Sequence, residues 1–114
     1  MSAPNYKQLT QTISAHLAPL HKSQPGVMKG FSDMGKAAMA AGALDAKTKE
    51  LIALAVGVAA RCDGCIGFHV KALRKLGATR EEFEETLGVV VYMGGGPSLM
   101  YAAEALQAWE QFAA

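Results

Sequence analysis

A chain of 114 residues can build one modest hydrophobic core and falls short of two. Hydrophobic residues make up 51% of it against 18% charged, an apolar excess that points to a subunit interface. The net charge of +1, with acids and bases interspersed, provides no basic stripe for nucleic acid, and Arg61, Asp63 and Lys71 interrupt the longest apolar stretch before it reaches the roughly 18 residues of a membrane span.

The opening Met1-Ser2-Ala3-Pro4-Asn5-Tyr6-Lys7 lacks the basic start and apolar core of a signal peptide, so a cytoplasmic protein of one domain, residues 1–114, is expected. No stretch alternates with period two, while Ala, Leu, Met, Lys and Glu recur at helical spacing; an all-α fold of six helices follows. The first helix is predicted from Asn5 to about Leu20, with Leu9, Ile13 and Leu17 on one face, and Pro19 should end or bend it. His16 and His21 read as ordinary polar residues near its end. The second begins near Pro25 and runs to about Ala41, with Gly42 as its stop. Its stripe of Met28, Phe31, Met34, Ala38 and Met39 reads as packing.

Asp45 is a suitable N-cap for a third helix through Leu51, Leu54, Ala55 and Val58 to about Arg61. A fourth follows from Asp63 or Gly64 to Leu76 and closes at Gly77. Thr79-Arg80-Glu81-Glu82 matches a capping box and starts a fifth, which turns Phe83, Leu87, Val90 and Val91 inward and Glu81, Glu84 and Glu85 outward. Gly94-Gly95-Gly96 breaks it and Pro97 opens a sixth, which packs through Tyr101, Ala105, Ala108, Trp109 and Phe112. The triple glycine reads as close backbone packing, because no strand precedes it and no Lys-Ser/Thr follows as in a phosphate loop.

The chemistry concentrates in Cys62-Asp63-Gly64-Cys65-Ile66-Gly67-Phe68-His69, which holds both cysteines of the chain. On a helix, Cys65 and His69 stand one turn apart on the same face, a thiol beside a base. The helix N-terminus favours a thiolate there and lets the C-x-x-C pair close into a disulfide. Helices three and four meet with hardly any loop, so residues equidistant from Ala60 should face each other, and Glu50 then lies opposite His69. Glu50 would orient His69, His69 would draw the proton from Cys65, and Cys62 would resolve an oxidised Cys65. Two other readings compete. The residues could be unrelated packing and surface positions, or two cysteines, His69 and Glu50 could be four zinc ligands, although structural zinc sites usually bring a second Cys or His pair.

This pattern, Glu50 followed by Cys62-x-x-Cys65 and His69, resembles the carboxymuconolactone decarboxylase superfamily and within it the alkylhydroperoxidase D-like branch. The resemblance extends through Gly77-Ala78-Thr79-Arg80-Glu81-Glu82 and Tyr92-Met93-Gly94-Gly95-Gly96-Pro97, from about Leu44 to Phe112. It implies a six-helix AhpD-like bundle with the dithiol at the start of the fourth helix, assembled as a homotrimer or homohexamer. It further implies a peroxidase acting on alkyl hydroperoxides or hydrogen peroxide without cofactor or metal. Cys65 would be the peroxidatic thiol, Cys62 the resolving one, and Glu50 and His69 the proton relay. A lipoylated or thioredoxin-like dithiol protein would be the reductant. The peroxidase branch often places histidine directly before the second cysteine, where this chain has Gly64. The namesake decarboxylases lack the cysteine pair, which argues against lactone decarboxylation.

Overall fold

A computed structural model describes residues 4–113, which form six helices and no strand. Helix α1 covers Tyr6–Ser23, α2 Pro25–Met39, α3 Ala46–Ala59, α4 Asp63–Lys75, α5 Arg80–Gly94 and α6 Gly96–Gln111. Each start has a local cause. Asn5 accepts from the Gln8 amide at 3.1 Å and caps α1. Asp45 accepts from the Thr48 amide at 2.7 Å and caps α3. Thr79 and Glu82 form the complete capping box of α5. Pro25 and Pro97 sit in the first turns of α2 and α6, where a missing N–H costs nothing.

Two ends follow from left-handed residues. At the end of α4, Gly77 has φ +77°, and the amides of Gly77 and Ala78 return to the carbonyls of Arg74 and Leu73 at 3.2 and 3.1 Å. At the end of α3, Arg61 takes the same conformation, φ +58°, and the amides of Arg61 and Cys62 return to Val58 and Gly57, both at 3.0 Å. Both are Schellman closures. The first was expected at Gly77; the second leaves α3 ending at Ala59, two residues before the expected Arg61.

Two further expectations are corrected. Pro19 lies inside α1, which continues to Ser23, because a proline deletes one backbone bond while the ladder resumes beyond it: the Gln24 amide still reaches the Leu20 carbonyl at 2.8 Å. The methionine stripe of α2 does not pack into the chain's own core. No α2 residue is buried, and Phe31 and Met34 are 68% and 62% exposed.

The core is built on α4. Ile66, Val70 and Leu73 are fully buried, meeting a core that includes Leu54 and Val58 of α3, Phe83 of α5, Trp109 of α6 and Tyr6 of α1. Full burial of side chains of this size contributes about 1.5–3 kcal/mol each. Small residues decide how closely α4 is approached. A Cβ on Gly57 would lie 3.0 Å from Cys65 Cβ, and one on Gly67 would lie 2.8 Å from Thr10 Cγ2. The triple glycine behaves similarly: a Cβ on Gly94 would overlap Ser98 Oγ, and Gly95 takes φ +70° to turn α5 into α6. The dithiol end of α4 is thereby held between α3 and α1.

Candidate active site

Cys62 is the N-cap of α4, and its sulfur accepts from the Cys65 amide at 3.1 Å, filling the role that an oxygen usually takes. Cys65 occupies the third helical position. Their Cα atoms are 5.2 Å apart and the sulfurs are joined as a disulfide. Both residues are half-buried, as is His69 one turn further along. Both cysteines stand at the N-terminus of α4, the positive end of the helix dipole, which favours a thiolate once the bond is reduced.

From α3, Glu50 Oε2 lies 2.7 Å from His69 Nδ1, with the two side chains 15% and 32% exposed. This pair and the Gly57 to Cys65 contact straddle the Arg61 turn almost symmetrically, as two helices folded back on each other require. With Nδ1–H donated to the carboxylate, Nε2 remains as the accepting nitrogen on the side chain one turn from Cys65. The structure therefore joins Cys62 to Cys65 and His69 to Glu50, with Cys65 and His69 four residues apart on α4. Among the described residues, no three His, Cys, Asp or Glu side chains are grouped to hold a metal ion, and the cysteines are bonded to each other.

The other wall comes from α1, whose Tyr6 was not singled out from the sequence. The Tyr6 hydroxyl, in a fully buried side chain, donates to Asp63 Oδ1 at 3.2 Å. Burial, reinforced by the Asp63 and Glu104 carboxylates, pushes the Tyr6 phenol above its usual range, so it remains a donor at physiological pH. Burial and then Asp63 push the Glu104 carboxyl up as well. Ile13 covers the backbone between the cysteines: a Cβ on Gly64 would meet Ile13 Cδ1 at 3.0 Å. A side chain at position 64 would therefore have to displace Ile13. The only forewarning was the apolar face Leu9, Ile13 and Leu17, which does not specify what it meets.

The model of the carboxymuconolactone decarboxylase family matches residues 25–108. A carboxymuconolactone decarboxylase family protein from Legionella pneumophila superposes with a TM-score of 0.94 at 59% identity, covering 96% of this chain and 97% of that one. A family protein from Thermotoga maritima, described as a candidate for the antioxidative response, superposes at 0.80 with 28% identity over 90% of this chain and 87% of that one. An uncharacterised protein of Cupriavidus necator is 43% identical over 94 residues, 82% of this chain and 83% of its own length.

Proposed function

The chain belongs to the carboxymuconolactone decarboxylase family, and we propose that within it the chain is a thiol-dependent peroxidase that reduces alkyl hydroperoxides or hydrogen peroxide. The observation that carries this reading is a disulfide-capable pair at a helix N-terminus, one turn from an imidazole held by a carboxylate. The antioxidative role suggested for the Thermotoga relative agrees with it.

In the reduced protein His69 Nε2 takes the Cys65 proton, directly or through a water. The Cys65 thiolate attacks the terminal peroxide oxygen; an S–O bond forms, the O–O bond breaks, and the departing alkoxide takes the proton from His69 and leaves as alcohol. Cys65 is now a sulfenic acid, two electrons oxidised. Cys62 sulfur then attacks Cys65 sulfur, the S–O bond breaks, and the hydroxide leaves as water with the proton that Cys62 gives up. Glu50 holds His69 in the orientation and tautomer that both proton transfers need.

A dithiol protein, lipoylated or thioredoxin-like, returns two electrons and two protons to the disulfide. The cytoplasm supplies such donors. Exposed apolar residues on α2, α3 and α5 support assembly as a homotrimer or homohexamer.

Hydroperoxide consumption driven by a dithiol reductant tests the reading. Wild-type protein turns over, Cys65→Ser does not, and Cys62→Ser consumes one equivalent and retains a sulfenic acid that a dimedone probe labels. Steady-state turnover by Cys65→Ser equal to wild type would overturn the mechanism. Wild-type protein inert toward every hydroperoxide and dithiol tried would favour a redox-responsive oligomer without turnover.

A further inference from the structure

Four cations without an acidic partner among the described residues line a groove that the dithiol does not use. Lys71, Arg74, Lys75 and Phe112 line a cleft of about 430 Å3 between α4 and the end of α6. A hollow of about 310 Å3 adjoins it, sharing Lys71 and Phe112 and adding Lys7, Thr10 and Gln11 of α1. Among the described residues, no acidic side chain lines either part. Among the described residues, none of Lys7, Lys71, Arg74 and Lys75 joins an ion pair.

Cations near a helix C-terminus commonly serve its dipole, but that end carries only about half a negative charge. Four cations exceed it several-fold, within a chain whose net charge is only +1. Arg74 is also preorganised. Its guanidinium lies 4.3 Å from the centroid of the Trp109 ring, and Trp109 is itself buried against Phe83, with ring centroids 4.6 Å apart. A guanidinium fixed by stacking loses little freedom when its N–H edge takes a phosphate. Phe112, half-buried, places a flat apolar surface between the charges of α4 and Lys7 of α1.

We propose that this groove binds a phosphate-bearing small molecule with a planar aromatic group, of the nucleoside phosphate class. Arg74, Lys71 and Lys75 hold the phosphates, and Phe112 supports the ring. The groove falls within the 300–1,000 Å3 typical of small-molecule sites. Arg74 follows Cys65 by nine residues, which puts it roughly 180° around α4 and about 13 Å along it. The ligand therefore reaches neither sulfur, and the site stands independently of the peroxidase reading.

Isothermal titration of the disulfide form at about 0.15 M salt, with ADP, pyrophosphate and poly-glutamate as probes, tests the assignment. ADP is expected to saturate one site per chain and to bind about tenfold more tightly than pyrophosphate, the difference being base stacking. Lys71→Gln and Lys7→Gln, exposed changes on separate helices, should each weaken ADP, the former about tenfold. Lys36→Gln on α2 should change nothing. Absence of saturable ADP binding, or ADP binding indifferent to Lys71→Gln, overturns the proposal. Pyrophosphate binding as tightly as ADP reduces the groove to a simple anion site and overturns the nucleoside assignment. Binding of poly-glutamate alone makes it a surface for an acidic protein, which also overturns it.

Discussion

Cys62 is both the disulfide partner of Cys65 and the cap of α4, and the two roles can be separated by substitution. Its sulfur is the acceptor for the Cys65 amide, and a thiolate there would accept more strongly than a disulfide sulfur does. Cys62→Ser and Cys62→Ala both abolish the disulfide, but only serine restores a capping oxygen. Urea unfolding should therefore find the alanine variant about 0.5–2 kcal/mol less stable than the serine variant. Equal stabilities would mean that the bond at 3.1 Å contributes nothing. Gly64 is constrained from the opposite side. Its missing Cβ is where Ile13 rests, so Gly64→His should cost about 1–3 kcal/mol by overpacking, and adding Ile13→Ala should recover much of that loss. Strict additivity of the two changes would show that the ring avoids Ile13. Glycine at this position thus follows from how α1 packs on α4.

The helices divide into those whose boundaries are written locally and those whose boundaries are not. Asn5, Asp45, Thr79 with Glu82, Gly77 and Pro97 announce their termini through one side chain or one permitted backbone conformation, and the structure uses each of them. The end of α3 is different. Its left-handed position is held by Arg61, a residue type that gives no such signal, because the Gly57 and Val58 carbonyls are closed by a turn that leads directly into the Cys62 cap. A side chain in this conformation costs about 1–2 kcal/mol relative to the right-handed form, and glycine would avoid it. Arg61→Gly should therefore raise stability by about 0.5–1 kcal/mol, part of the relief being offset by the freer unfolded chain. Unchanged or reduced stability in thermal unfolding would mean that the arginine contributes contacts which outweigh the strain. Pro19 shows the opposite case, a strong local breaker that α1 continues through.

At the scale of the whole molecule, the legible part of the site is what one hairpin can specify. Cys62, Cys65 and His69 lie within one or two turns of a helix, and folding α3 back on α4 is enough to bring Glu50 to the imidazole. Tyr6 and Asp63, 57 positions apart, and Ile13 over Gly64 depend on where α1 docks, which no spacing within α1 encodes. The same holds for α2, whose apolar face was legible but whose partner was not. A 15-residue helix is marginal in water without tertiary support, and α2 buries none of its residues in its own chain. Val27, Phe31 and Met34 stay exposed along it, while a separate apolar hollow of about 270 Å3 between α3 and α5 is lined by Ala55, Val56, Val89 and Met93. Two uncovered apolar surfaces on one chain are satisfied together when copies assemble in a closed ring, each presenting what the next one lacks. The proposed homotrimer or homohexamer therefore predicts that wild-type protein sediments as a trimer or hexamer at micromolar concentration. Phe31→Asp combined with Met34→Asp should shift it to smaller species and lower its thermal midpoint, since α2 then loses the contacts that hold it helical. A monomeric wild type, or a double variant with unchanged sedimentation, would remove assembly as the reason for the exposed face.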